Sequence, residues 1–300
     1  NDLKLISAGK NLLIRDANGL LHSASEVSIA WRQVPLQKQK TIVRQIVGPF
    51  SSFESAQRLA SYLKTKGISS LVAHPKDWEV WIAKGVNAPA GINFKNFTKK
   101  IDSSIRPFLK TRNGYLPLYG PISIEAEAGL KWNGGIYSGP FLLKGDAYGS
   151  WTLIEKVYME KYLNGVVPYE IGPNSPKNAL QAQAVLARTW ALANTHRFEI
   201  DGYHLCSDTQ CQVYKNPNKS NREVQNAISQ TKGKVLLING SPIHAVYHAT
   251  NGGVMAAAEE AWSISPRTYL RPKIDGPKDF INRFRLPFRT NSDMRVFLES

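Results

Sequence analysis

The chain has 300 residues, 42% apolar and 20% charged, which is globular and excludes a disordered polymer. Its 38 Lys and Arg against 23 Asp and Glu give a net charge of +15, which attracts polyanions: nucleic acid, acidic lipid surface or cell wall. No apolar run approaches the ~20 residues that cross a bilayer, and no zinc-finger or recognition-helix spacing accompanies the basic clusters at Lys38 and Lys40, Lys99 and Lys100, and Arg283, Arg285 and Arg289. Sequence-specific DNA reading is therefore poorly supported. The start, Asn1-Asp2-Leu3-Lys4, has no export signal, and a leader already removed is expected in preference to a cytosolic protein.

Residues 1–35 alternate apolar and polar side chains in short runs, with Asn18-Gly19 as a hairpin signal. Ile42, Ile46 and Val47 predict a strand ending at Gly48-Pro49. Ser51 and Glu54 then form a capping box for a helix carrying Ala56, Leu59, Ala60 and Leu63 and closed by Gly67. Ile68–Ala73 and Trp78–Ala83 predict two further strands. This strand-helix-strand-strand unit resembles the sporulation-related repeat (SPOR) family in Val47-Gly48-Pro49-Phe50-Ser51-Ser52, Ala56, Ala60 and Lys66-Gly67. Members of that family bind glycan strands stripped of stem peptides. The alternative is an ordinary α+β insertion that only packs, and no second helix is evident between Pro89 and Asn113.

Residues 85–114 form a linker region. From Tyr115 to Lys156, glycines interrupt apolar runs at regular spacing, which predicts antiparallel sheet bearing Trp132, Tyr137 and Trp151. Asn221 caps a helix with Val224, Ala227 and Ile228 on one face, ended at Gly233. Val235–Ile238, Asn239-Gly240 and Ile243–Ala249 predict a hairpin. The expected class is α+β: an antiparallel sheet core packed with a few helices, plus a small N-terminal α+β unit. The expected division is 1–84 for the N-terminal strands and SPOR-like unit (inserted or appended), 85–114 for the linker and 115–300 for a catalytic domain.

The chemistry centres on Val166-Val167-Pro168-Tyr169-Glu170. Gly165 reads as a left-handed cap ending a short helix, and Pro168 biases Val167 away from helix, so Glu170 stands on a stiff turn. Ser175 and Pro176 predict the start of a helix from Lys177 to Thr195, rich in alanine, with Arg188 in its middle. A charge there needs a partner. A glutamate that cleaves an acetal must hold a proton near neutral pH, which requires partial desolvation. From spacing alone, a solvated glutamate after a proline is the commoner reading.

Four motifs in order change that weighting: Met159 to Glu170, Ala179 to Ala191, Cys206 to Tyr214, and Tyr247-His248-Ala249-Thr250-Asn251-Gly252-Gly253. Together they resemble the stage II sporulation protein D and amidase-enhancer family. The resemblance implies a peptidoglycan lytic transglycosylase that cuts between N-acetylmuramic acid and N-acetylglucosamine, preferring glycan without stem peptides and leaving a 1,6-anhydro end. It assigns the catalytic glutamate to Glu170 and its electrostatic companion to Arg188. Tyr169, Tyr247, His248, Thr250, Asn251 and Gln212 are candidate substrate-binding residues. The alternative function is a non-catalytic activator that binds the wall for a partner amidase.

Some relatives bind zinc through cysteines and a histidine just before the second cysteine, but Gln210 stands there. In an oxidising envelope a disulfide between Cys206 and Cys211 is expected instead, with His204 and His196 as ligands if zinc binds. No cofactor is required. The expected partners are glycan strands and an amidase, with no nucleic acid and no membrane span, and the expected location is extracytoplasmic.

Overall fold

The computed structural model describes residues 2–276 and Arg295, so the arginine cluster expected at 283–289 lies outside the described residues. The chain forms two compact units, 1–245 and 246–300. The class is α+β with antiparallel sheets and few helices, as the sequence predicts.

In chain order the first unit begins with β1 (Leu3–Ser7), β2 (Leu12–Arg15), β3 (Leu21–Ala24) and β4 (Glu26–Phe50). Helix α1 (Phe53–Thr65), β5 (Ser70–Ala73), β6 (Trp78–Ile82) and β7 (Lys95–Thr111) follow. Then come β8 (Gly114–Pro117), β9 (Ile122–Glu125), β10 (Leu130–Trp132), β11 (Gly135–Tyr137), β12 (Phe141–Gly145) and β13 (Trp151–Glu155).

Two sheets face one another across a core to which β1, β2, β4, β9 and β12 contribute alternate residues. Leu5, Leu12, Ile14, Val27, Ile29, Ile122, Ile124 and Leu143 are all nearly inaccessible to solvent. The Asn18-Gly19 hairpin forms as expected, with Gly19 at φ 88° and the Asp16 carboxylate accepting the Asn18 and Leu20 amides.

The expected boundaries at 84 and 115 are crossed by this core. β1 pairs with β10 and β2 with β9, so the N-terminal strands share sheets with residues 122–132. The expected linker contains β7, which pairs with β4 from Ile29↔Leu109 out to Ile46↔Lys95. This ribbon leaves the sandwich, shifts register between Pro35 and Lys40, and carries α1, β5 and β6 at its far end. A proline near the shift fits, because it has no amide to offer a ladder. The expected strand-helix-strand-strand unit is thus an insertion between two strands of the sandwich.

Within that unit α1 buries Phe53, Ala56 and Leu63 against Trp78, Val80 and Ile82. Its cap is Ser52, whose Oγ accepts from the Ser55 amide, and not Ser51. The shift by one residue releases Glu54 from the expected capping box. Glu54 is instead buried and accepts from Arg197 Nη1 and Nη2 at 3.0 and 2.8 Å.

After β13 come α2 (Met159–Asn164), α3 (Val167–Glu170), α4 (Lys177–Ala193) and α5 (Arg222–Gln230). Ala184, Ala187 and Ala191 of α4 form a buried face with Val224, Ala227 and Ile228 of α5, the close approach that alanine permits. Asn221 caps α5 as expected, accepting the Val224 amide. Pro176 takes the cap position of α4, whereas the Ser175 hydroxyl donates back to the Ile171 carbonyl.

The predicted hairpin is present but short, as β14 (Leu237–Ile238) and β15 (Ser241–Pro242), with Asn239 and Gly240 at φ 50° and 76°. Residues 243–249, expected as the second strand of that hairpin, form no strand. The second unit contains β16 (Val254–Met255), α6 (Ala258–Ala261) and β17 (Lys273–Ile274), with β16 paired to β17.

Candidate functional site

Glu170 ends a single helical turn, and its amide and that of Ile171 donate to the Val166 and Val167 carbonyls. Pro168 is harmless there, because first-turn amides have no acceptor within the helix. The elbow is therefore one turn of helix in place of the expected extended turn, with Val166, Val167 and Pro168 buried beneath it and Glu170 half-buried.

Gly165 is not a left-handed cap; its φ is −93°. Glycine is needed there for close approach, since a Cβ would stand 2.6 Å from the Lys215 carbonyl oxygen and run into the Tyr214 ring. Gly165→Ala is expected to cost about 1–3 kcal/mol, the usual range for overpacking. Urea unfolding measures this, and a loss under about 0.5 kcal/mol, the scale of an ordinary surface change, would show that the strap can yield.

That strap, residues 212–216, runs along α2, α3 and the Gly165 corner between them and is hydrogen-bonded to all three. Val213 donates its amide to Glu170 Oε1 at 2.9 Å. Lys215 donates its amide to the Gly165 carbonyl at 3.0 Å, and the Tyr169 hydroxyl donates to the Asn216 carbonyl at 3.1 Å. Glu170 Oε2 makes no hydrogen bond among the described residues, so one carboxylate oxygen is held and the other is open. Burial holds the Tyr169 phenol above its ordinary pKa, so it remains a neutral donor.

The strap's other side is pinned as well. Tyr214 donates its hydroxyl to Glu155 Oε2 at 2.7 Å and stacks on Tyr162 with centroids 5.1 Å apart. Glu155 Oε1 is occupied by the Ser138 and Gly139 amides. Burial first, then the Glu155 carboxylate, push the Tyr214 hydroxyl far above its usual range. Gln212 is 2% exposed, accepts from the Tyr162 hydroxyl and donates to the Ala187 carbonyl. It is a core bracket and not the substrate-binding residue expected, because its amide is spent on buried groups that would otherwise go unpaired.

Arg188 corrects a second expectation. Its carboxylate partner is Glu160 and not Glu170: Nε and Nη2 donate to Glu160 Oε1 and Oε2 at 3.0 and 2.6 Å. Nη1 donates to the Lys234 carbonyl. The planar fork thus ties α2 to α4 and to the chain after α5, which makes Arg188 a residue that holds the elbow's base. A buried arginine demands a partner, so the need for one is legible in the sequence, but the first motif offers both Glu160 and Glu170.

Tyr247, His248, Thr250 and Asn251 lie in the second unit. There Asn251 donates to Asp275 at 2.7 Å and accepts the Gly253 amide, and Thr250 accepts the Gly252 amide. Cys206 and Cys211 form a disulfide, with Cα atoms 5.8 Å apart. Sulfurs so bonded are not thiolate ligands, and Gln210, at the position of a zinc histidine, accepts from Trp78 Nε1. These residues do not fit a zinc ion, and no group of three or more His, Cys, Asp or Glu suited to a metal occurs among the described residues. His204 is exposed, and His196 packs edge-on to Phe53.

A cavity of about 1080 Å³ lies between β13 and the chain segments around α2 and 203–215, with Trp132, Tyr137, Tyr203 and Tyr214 in its wall. Glu170 is not among its lining residues. No helix of the described residues is long and apolar enough to cross a membrane.

Residues 147–237 match the model of the Stage II sporulation protein family. The amidase enhancer of Bacillus subtilis is 41% identical over 113 residues, 38% of this chain and 15% of that protein. Stage II sporulation protein D of the same organism is 31% identical over 133 residues, 39% of this chain and 38% of that protein. An uncharacterized protein of Brachyspira hyodysenteriae is 31% identical over 152 residues, 48% of this chain and 39% of its own length. The chain thus spans well under half the length of the curated relatives it matches. No solved structure matches.

Proposed function

From the membership of residues 147–237 in the Stage II sporulation protein family, we propose that this chain is an extracytoplasmic lytic transglycosylase. It cleaves the bond between N-acetylmuramic acid and N-acetylglucosamine in glycan free of stem peptides. The observation that carries this reading is the half-held, half-open carboxyl of Glu170 on its helical turn.

Protonated Glu170 gives its proton to the glycosidic oxygen as the bond to the muramic C1 breaks, and the N-acetylglucosamine leaves as an alcohol. The muramic 6-hydroxyl oxygen bonds to C1, and its proton passes to the carboxylate. The sugar closes into a 1,6-anhydro ring and Glu170 is restored. One carboxyl suffices because no water is recruited, whereas hydrolysis uses two.

Arg188 serves by holding α2 and α4 together. Tyr169 contacts sugar in this reading, and Tyr247, His248, Thr250 and Asn251 are candidate glycan contacts of the second unit taken by itself. The SPOR-like insertion helps the chain grip glycan in this reading. The disulfide fits an oxidising location. No cofactor takes part.

The test is incubation with stem-peptide-free glycan strands followed by analysis of the released ends. Anhydro ends support the reading, and an intact polymer sinks it. The similarity to an amidase enhancer favours one second reading, a wall-binding activator. It predicts no anhydro ends and stimulation of an added amidase.

A further inference from the structure

We propose that the 212–216 strap is the positioning device of the reaction. The Val213 N–H holds Oε1 of Glu170 so that Oε2 is the oxygen that gives up and retakes the proton, while Tyr214, through Glu155, fixes the strap. This rests on the reading of Glu170 as the acid.

A glutamate carboxyl turns easily about its last bond, whose torsion is broad and two-fold. On a half-buried elbow nothing in the helix restrains it. A single N–H aimed at one oxygen fixes both the plane and the choice of oxygen. It does so only if the amide itself is immobile, and irregular backbone is not immobile by its own hydrogen bonds.

Here the neighbours of Val213 on both sides supply the rigidity. Gln212 is bracketed by the Tyr162 hydroxyl and the Ala187 carbonyl. Tyr214 is locked by Glu155 Oε2 at 2.7 Å, by the Tyr162 ring and by the absent side chain at Gly165. Glu155 is anchored in turn by two amides of the β11–β12 turn. The sandwich therefore sets the angle of a carboxyl on the helical side through one phenol and one backbone amide. Tyr214 and Glu155 touch no reacting atom in this scheme and are positioning residues.

The simpler alternative is that Glu170 merely satisfies the Val213 amide, which needs some acceptor. The two differ in kinetics. In the full chain, Val213 is replaced by its α-hydroxy analogue, which turns the amide into an ester and removes the donor without changing any side chain. Tyr214→Phe keeps the ring and deletes only the hydroxyl.

The expected result is a fall in kcat of about 10²-fold for the ester, the scale of a reacting group misplaced by an ångström. Tyr214→Phe is expected to give a fall of about tenfold, with KM and glycan pulldown within about twofold of wild type for both. Wild-type kcat in either folded variant, or a change confined to KM, overturns the proposal. If the ester protein does not fold, Tyr214→Phe decides alone by the same split. Glu170→Gln is run beside them. An active Glu170→Gln protein removes the underlying reading, whereas an inactive one beside a fully active ester removes the strap's role only.

Discussion

Glu170→Gln is expected to lower anhydro-end formation by roughly 10²–10⁴-fold, the usual contribution of a positioned acid and base, while leaving the thermal midpoint near that of wild type. Glutamine fills the same space, and its carbonyl oxygen can still accept the Val213 amide, so the elbow and strap keep their packing. What disappears is the titrating proton on the open side of the group. Glycan pulldown is expected to persist, since the sugar-contacting side chains proposed are untouched. Product formation at the wild-type rate would remove Glu170 from the chemistry. A large fall in thermal midpoint would mean instead that the carboxylate is a structural acceptor for the strap.

The second large effect is on stability. Arg197→Met is expected to cost about 3–5 kcal/mol, the range for removing one partner of a buried ion pair. The Arg197 and Glu54 side chains are 4% and 8% exposed, and the guanidinium also lies 4.5 Å from the Phe53 ring centroid and 5.2 Å from that of Trp190. Without it Glu54 is a buried carboxylate whose one other ion-pair partner among the described residues is His244, at 4.0 Å. The pair joins α1 of the inserted unit to the chain after α4, so its loss strikes the seam between them. Urea unfolding of the single variants and of Arg197→Met with Glu54→Leu measures the effect. The double variant is expected to recover much of the loss, because no lone charge remains. A single-variant loss under about 1 kcal/mol, the scale of a surface pair, would show that water reaches the seam.

Local signals were legible in the sequence. Asn221 capping α5, Asn239-Gly240 turning a hairpin and Gly67 closing α1 with φ 73° all follow from side-chain chemistry within a few residues. The elbow was legible in place but not in form. Pro168 biases Val167 away from helix, yet one turn asks nothing of the missing proline amide. The torsional freedom of Gly165 suggests a left-handed cap, whereas its small size is what the Tyr214 ring requires.

Long-range pairings were not legible. Arg188 announces the need for a counter-charge, but Glu160 and Glu170 lie in the same motif, and only the packing of α2 on α4 chooses between them. The same holds for Glu54 and Arg197, 143 residues apart. The inserted unit is legible as a unit, but its ribbon reads as a linker. Nothing local tells a strand that pairs across an insertion from a polar connection.

The central claim, that Glu170 breaks the glycosidic bond with the sugar's own hydroxyl as acceptor, is tested most directly by digesting stem-peptide-free glycan in heavy-oxygen water and weighing the new ends. The account predicts anhydro ends that carry no solvent oxygen. New reducing ends labelled with heavy oxygen would show hydrolysis and contradict it.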